Sequence, residues 1–362
     1  MKLFLVGGFL GSGKTTAIQQ AALYLQQKKK KVGVITNDQG EHQVDTQYFR
    51  FNNIPVEEVA GGCFCCNFEE LGKSIGSLQL SMQPDVIFAE SVGSCTDLVA
   101  TVINPLLHFN KMQLDIVLTV FADVRLLCIY LQGNKDIFYN NVNYIYEKQL
   151  EEADIIVINK IDLLNEEQLE LAKQLIGNEY SGKLILYQNS LSGKSIQKWI
   201  TTLFHKYQNP FLRQSLQLDY DKYGAGEAEL AWLDEEIHIH TDDNNAANAG
   251  VLLTQKIYSK LNEQGCPIGH LKFIINDGQQ ERKISFTSIA IPEVKPDYSD
   301  IKTDRVIVLI NARVQTNPLF LSKIVSDSIH EIEFSTGCRI TESKWSSFKP
   351  GYPKPTHRIT GL

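Results

Sequence analysis

The sequence predicts an α/β fold, a mostly parallel sheet covered by helices, followed by a smaller C-terminal α+β domain. Three observations predict it. Short apolar, β-branched runs alternate with longer helical patterns through residues 1–206, which is how parallel strands and their crossover helices read. A glycine-rich phosphate-binding pattern joins the first run to the first helical pattern. The alternation lapses near Asn209-Pro210, and a different order of strands and helices follows.

In order, the apolar runs at residues 3–6, 32–35, 86–88, 116–120, 155–158 and 184–186 predict buried strands. Residues 14–29, 68–81, 144–152, 166–175 and 195–206 predict the helices between them. Lys28, Lys29, Lys30 and Lys31 close the first helix, where cations offset its dipole. The first domain spans 1–206, a linker spans 207–228, and the second domain spans 229–362. That second domain reads as strands at 235–241, 271–275, 283–290 and 306–314 with helices at 245–261 and 318–332. Residues 344–358 mix Trp345, Phe348 and Tyr352 with Lys and Pro, and read as an extended tail packed on its own domain.

A chain of 362 residues fits about two domains at ~150 residues each. With 43% hydrophobic and 21% charged residues it is an ordinary globular composition, which excludes collagenous and disordered classes. The 35 basic and 42 acidic residues give a net charge of -7, so no basic field is present to collect nucleic acid or anionic lipid. The most apolar stretch, 114–131, carries Asp115, Asp123 and Arg125, costly groups in a bilayer core. The apolar start halts at Gly7 and enters the phosphate-binding pattern, so it reads as a first strand and not a leader. Three of the seven cysteines fall within four positions, which suits a reducing, cytoplasmic setting better than a disulfide framework.

Gly8-Phe9-Leu10-Gly11-Ser12-Gly13-Lys14-Thr15 matches G-x4-G-K-[ST], after a predicted strand and before a predicted helix, the arrangement of a P-loop NTPase. Gly8, Gly11 and Gly13 let the backbone turn its N–H groups, with that of Ser12, toward phosphates at a helix N-terminus. Lys14 is expected to reach the β- and γ-phosphates and Thr15 to ligate Mg2+. Asn159-Lys160-Ile161-Asp162 ends another predicted strand, where doubly wound sheets bind ligands. A carboxylate at Asp162 can accept from guanine N1–H and N2–H2 together, while Asn159 meets another base edge and the Lys160 stem covers its face; GTP is therefore the expected nucleotide. Ser190 is placed at the guanine oxygen. The loop from Thr36 and Asn37 through Asp38 and Glu41 to Asp45 is a candidate switch, and Glu90, at the end of the third predicted strand, is positioned to hold a metal-bound or attacking water. Lys14, Glu90 and Asp38 are the candidate catalytic residues.

Gly61-Gly62-Cys63-Phe64-Cys65-Cys66-Asn67 precedes a predicted helix, so Cys65 and Cys66 are expected near a helix N-terminus, with lowered pKa. Three sulfurs in four residues suit Zn2+ or another soft transition ion. Three ligands leave an open position, with water, Asp38, Glu41, His42 or a client side chain as the fourth. Cys95, Cys128, Cys266 and Cys338 read as core or incidental. His238 and His240 share one face of a predicted strand, which reads as half-exposed surface.

The runs Gly8 to Thr15 with Thr16, Gly62-Cys63-Phe64-Cys65-Cys66, Glu90-Ser91-Val92-Gly93 and Asn159-Lys160-Ile161-Asp162, in this order, resemble the CobW family of metallochaperone GTPases, SIMIBI-type relatives of UreG and HypB. The resemblance covers about residues 1–205 and implies GTP hydrolysis coupled to transfer of a metal, commonly zinc, from Cys63, Cys65 and Cys66 to a client metalloprotein. It leaves a homodimer, but neither nucleic acid nor membrane, among the expected partners. Where that family reads Asn-Glu-Phe-Gly this chain has Asn37-Asp38-Gln39-Gly40, a carboxylate one methylene shorter, and the family's His-rich stretch is absent. Three other readings stay open, a GTPase chaperone of a cobalamin-dependent enzyme, a metal buffer or sensor with a vestigial nucleotide site, and an ATP-dependent kinase, which would require adenine selection despite Asp162.

Overall fold

The computed structural model describes residues 1–38, 44–109, 114–134, 137–206, 211–289 and 301–361. The chain divides into two compact units, one of residues 1–39, 45–226 and 353–362, the other of 40–44 and 227–352.

The first unit is a seven-stranded parallel sheet in the order β3-β2-β4-β1-β5-β6-β7. Its strands are β1 (Lys2–Gly8), β2 (Val32–Asn37), β3 (Val56–Val59), β4 (Val86–Glu90), β5 (Asp115–Asp123), β6 (Ile155–Asn159) and β7 (Leu184–Gln188). Around them run α1 (Lys14–Gln27), α2 (Val44–Phe51), α3 (Phe68–Met82), α4 (Asn104–Phe109), α5 (Val124–Leu131), α6 (Asn140–Glu152), α7 (Glu166–Glu179), α8 (Gly193–His205) and α9 (Tyr220–Ala228). The central strands are buried on both faces, which is why they read as unbroken apolar runs. On one face, Trp199 of α8 is fully buried with its ring 5.1 Å from Phe121 and 5.8 Å from Phe88. Burial of such a ring contributes roughly 3 kcal/mol, and it fixes α8 against β4 and β5.

Register brings the functional strand ends together. β1 lies between β4 and β5, with Val6 opposite Glu90 and Gly8 opposite Phe121. Asp123 stands opposite Asn159, and Asn159 opposite Gln188. The P-loop, Glu90 and the Asn159 strand end therefore share the carboxyl edge, the binding edge of open parallel sheets.

Several elements differ from the sequence expectation. The edge strand β3 has only four residues, two of them Glu, too few for a periodicity to register. The apolar stretch 114–131 is a strand and a helix in direct succession. Asp123 divides them, its side chain accepting from Arg125 N as the cap of α5. The buried stretch Val99–Ile103 is one π-helical segment leading into α4. The expected linker 207–228 contains α9, anchored by buried Tyr223, whose hydroxyl accepts from Thr96 N at 3.4 Å; residues 207–210 lie outside the described residues.

The second unit is an antiparallel sheet in the order β10-β9-β11-β8-β12, with α10 (Ala246–Glu263) and α11 (Pro318–Thr336) packed on it through one apolar core. Its strands are β8 (Leu230–His240), β9 (Ile268–Asn276), β10 (Glu281–Phe286), β11 (Arg305–Gln315) and β12 (Arg339–Phe348). The first third of the expected tail, 344–348, is the end of β12, a mostly exposed strand paired to β8 at the sheet edge, whose polar sequence lacks the alternation that marks a half-buried strand. Residues 353–362 belong to the first unit, not to the domain they follow, because their partners lie there. No helix among the described residues is long and apolar enough to cross a membrane.

Glu152, at the end of α6, is buried beneath the Val99 turn, accepting from Thr96 Oγ1 at 3.1 Å and Val99 N at 3.2 Å. Burial is the main force on its carboxyl and pushes it from 4.5 up to about 8. The folded chain thus binds a proton here that the unfolded chain releases, so stability falls as pH rises through this window. Glu152→Gln, neutral throughout, is expected to gain on the native protein by about 1.4 kcal/mol per pH unit between pH 5.5 and 7.5. Denaturant titrations of both proteins across that range check it; a constant difference would mean the carboxyl is ionised throughout.

Candidate functional site

The P-loop closes on itself and on two strand ends. Lys14 Nζ donates to Gly8 O at 2.7 Å and Phe9 O at 3.3 Å, holding the loop in its curl. Gly8 has φ +125°, and a Cβ there would meet Phe121 O at 2.2 Å, so only glycine fits between β1 and β5. Gly13, at φ +93°, leads directly into α1, and a Cβ there would meet Asn159 Nδ2 at 2.4 Å. Ser12 Oγ is buried with no hydrogen-bond partner among the described residues, as expected of a hydroxyl turned into a cradle for phosphate oxygens. Gly11 lies in the same turn with φ +72°, and Thr16 is in the first turn of α1.

Thr15 Oγ1 donates to Glu90 Oε1 at 2.9 Å, and both side chains are buried. Two residues 75 apart in sequence thus meet, a hydroxyl and a carboxylate of the hard-donor type that Mg2+ takes. Asp38 is half-buried, next after Asn37 at the end of β2, with its N–H on Val59 O at 3.4 Å. Residues 39–43 of the expected switch, including Glu41 and His42, lie outside the described residues, and Asp45 is in α2.

Asn159 is a brace as well as a candidate base contact. Its Nδ2 donates to Ser12 O at 2.9 Å, while Oδ1 accepts from Ser190 Oγ at 2.8 Å and Ser190 N at 3.2 Å. The amide oxygen is thereby filled, and Ser190 N is committed to Asn159 instead of a guanine oxygen; one Nδ2 hydrogen stays open to a base. Lys160, at φ +64°, pairs with Asp123 at 2.9 Å, which fixes its stem across the strand end. Burial opposes the charge on Asp123, but Arg125 and Lys160 overcome it and hold that carboxyl below the usual range. Asp123 and Arg125 form a charge clamp beneath Lys160 that sequence reading missed. Asp162 is exposed in the single helical turn Ile161–Leu163 after Lys160.

The cysteine loop hangs from β2. Asn37 Nδ2 donates to Val59 O at 3.0 Å and Gly62 O at 2.7 Å, and its Oδ1 accepts from Phe64 N at 2.8 Å. Within the loop, Cys66 N and Asn67 N both donate to Cys63 O. This winding gathers the sulfurs: Cys63–Cys65 2.8 Å, Cys63–Cys66 3.4 Å, Cys65–Cys66 3.8 Å. Cys63 and Cys65 are buried and Cys66 is half-buried. The thiols do not ionise alike. Hydrogen bonds from Cys65, Cys66 and Cys95 hold Cys63 well below the usual thiol range. Donation to Cys63 pushes Cys65 up and Cys66 up to about 11. The expectation of lowered values at Cys65 and Cys66 is therefore corrected, since one thiolate at Cys63 keeps its neighbours protonated more strongly than the helix end ionises them. Cys128, Cys266 and Cys338 stand apart from this cluster, and His238 lies exposed in the second unit.

A strap of chain crosses the same loop. Thr356 N donates to Cys65 O and Thr356 Oγ1 to Cys66 O, each at 2.8 Å. His357 packs 5.2 Å from the Phe68 ring and 4.7 Å from that of Phe109. Arg358 Nε donates to buried Asp97 Oδ2 at 2.8 Å, which also accepts from Tyr220 at 2.7 Å. Burial pushes the Asp97 carboxyl up against these two bonds. Arg358→Ala is expected to cost about 1–3 kcal/mol by leaving that carboxylate without its cation, and to speed maleimide labelling of Cys66 as the strap lifts. An unchanged thermal midpoint with unchanged labelling would show that Arg358 latches nothing.

Residues 2–183 match the family described as CobW/HypB/UreG, nucleotide-binding domain. The chain is 28% identical over 225 residues to the zinc chaperone YeiR of Escherichia coli, covering 57% of this chain and 63% of that protein. It is 26% identical over 200 residues to the zinc chaperone CobW of a Sinorhizobium species, covering 49% and 56%. It is 26% identical over 204 residues to zinc-regulated GTPase metalloprotein activator 1 of Dictyostelium discoideum, covering 47% and 42%. The matches span between two fifths and two thirds of these relatives' own lengths.

Proposed function

The chain belongs to the CobW/HypB/UreG family by its nucleotide-binding domain, and from that premise we propose that it is a GTP-hydrolysing metallochaperone that binds a transition metal, zinc, at Cys63, Cys65 and Cys66 and delivers it to a client protein. The observation that carries this reading is the convergence of three cysteine sulfurs, all within 4.8 Å of one another, on a loop clamped by Asn37 to the sheet edge that bears the P-loop. Soft sulfur donors favour zinc over the hard ions that the Thr15–Glu90 oxygens suit. The relatives named zinc chaperones support the same cargo.

Each residue has a role in the proposed chemistry. Lys14 supplies positive charge to the phosphates in exchange for the carbonyls it now holds. Mg2+, held by Thr15, supplies charge neutralisation at the phosphates when bound. Glu90 orients the water for attack, and Asp38 brings a second carboxylate to the same edge; positioning and charge account for the rate, with no covalent step. Asp162 selects guanine. Coupling runs through strand ends, because Glu90 and Asn37 terminate adjacent strands and Asn37 holds the thiol loop.

A zinc competition titration under reducing conditions, with a non-hydrolysable GTP analogue and then with GDP, tests this. The expected result is a different zinc affinity in the two states, with nucleotide affinity shifted by the same factor when zinc is bound. Equal affinities would remove the coupling and leave a metal buffer on a nucleotide-binding domain.

A further inference from the structure

The second unit has a cationic cavity that the nucleotide and metal chemistry leaves unused. Its sheet carries α10 and α11 on one face, and Ile237, Ile239, Val306 and Val308 belong to the core between them. The alternate residues of each strand stand on the other face. There Arg305 of β11, His240 of β8 and Arg339 of β12 form one row across three neighbouring strands, and Ile307, His238 and Thr341 form the next. These two rows line a cavity of about 600 Å³, which the Asp277-Gly278 turn between β9 and β10 lines as well. Like charges side by side across a sheet cost stability, and two guanidinium groups flanking an imidazole are such a row. Little in the unit offsets it. The side chains of Arg339 and Thr341 have no hydrogen-bond or ion-pair partner among the described residues. Asp304 at 3.6 Å from Arg305 and Asp242 at 4.0 Å from His240 make exposed pairs that water screens. The Asp277 carboxylate is committed to its own turn, accepting from Gln279 N at 2.8 Å and Gln280 N at 2.7 Å. His238 is paired with Glu236 at 3.2 Å, whereas His240 Nδ1 is buried with no hydrogen-bond partner among the described residues, which leaves Nε2 to the cavity.

We propose that this cavity binds a small organic phosphate ester, with Arg305 and Arg339 taking the phosphoryl oxygens and His240 Nε2 and Thr341 Oγ1 donating between them. Guanidinium groups meet phosphate oxygens two at a time through parallel N–H bonds. A tetrahedral dianion presents three oxygens to this arc of donors, where a carboxylate presents two. Ile307, exposed on the same face, supplies an apolar floor for the organic body. The volume suits a ligand of that size. This site goes beyond the metallochaperone reading and stands or falls without it.

Calorimetric titration of the full chain with butyl phosphate, and separately with inorganic phosphate, tests it, with GDP and Mg2+ present throughout to fill the P-loop. The native protein is expected to bind butyl phosphate saturably at one site and more tightly than inorganic phosphate. Arg339→Gln is expected to weaken that binding at least ~10-fold, the loss of a charge-assisted pair of bonds. Lys323→Gln, which removes the same charge from an exposed position of α11, is expected to stay within about twofold of native, since the effect of a screened surface charge is small. No saturable binding at millimolar butyl phosphate, an unchanged affinity in Arg339→Gln, or an equal loss in Lys323→Gln would overturn the site. Inorganic phosphate binding as tightly as butyl phosphate would overturn the organic ester as its ligand.

Discussion

Lys14→Ala is expected to lower GTP turnover at least ~100-fold, the scale on which loss of one preorganised charge at a reacting centre is felt. Lys14 is 7% exposed, and its ammonium is the cation at the centre of the P-loop. The variant loses twice, once in the charge offered to phosphate oxygens and once in the bonds to Gly8 O and Phe9 O that hold the curl. Both losses fall on the loop, so kcat and nucleotide affinity drop together while zinc uptake by the metal-free protein persists. Steady-state phosphate release with a parallel nucleotide titration reads them separately. Turnover within threefold of the native rate would mean that this P-loop does not work on the γ-phosphate.

Cys65→Ser is expected to weaken zinc binding by at least ~100-fold, more than the ~10–100-fold that follows loss of a ligand's supporting partner. Cys65 is 2% exposed and its sulfur lies 2.8 Å from that of Cys63 and 3.8 Å from that of Cys66, so no other sulfur can take its place without rewinding the loop. A serine hydroxyl is a harder donor and stays protonated at neutral pH, which removes a thiolate from the soft set. Competition with a chromophoric chelator measures the loss, and GTP turnover of the metal-free variant reports whether the loop still folds. Zinc binding at native strength would assign the cysteines to packing.

The parts of this site that were legible in the sequence are those made by neighbours in the chain. The P-loop and the Cys-x-Cys-Cys loop each place their functional atoms within eight residues, so spacing alone carries their chemistry. Buried parallel strands are legible for a similar reason, since both faces being apolar leaves an unbroken run. Asn37 and Asp123 were not legible. Asn37 acts on Gly62 and Phe64, and Asp123 on Lys160, each across a sheet or between loops. Strand register creates these pairs, and no local pattern announces them. β3 and β12 escaped for the opposite reason, because an edge strand needs few apolar residues and so leaves little trace. The Asn-Asp-Gln-Gly run did mark Asn37, but as part of a switch and not as the clamp of the metal loop.

The return of residues 353–362 to the first unit has a topological consequence. Chain of the first unit thus both precedes β8 and follows β12, and Thr356, Arg358, Ile359 and Gly361 all bond to residues of that same unit. The C-terminal residues are therefore threaded back along the first unit's own surface, from the carbonyls of Cys65 and Cys66 under Thr356 to that of Arg213 under Gly361, so the loop that gathers the thiols is buttressed by the far end of the sequence.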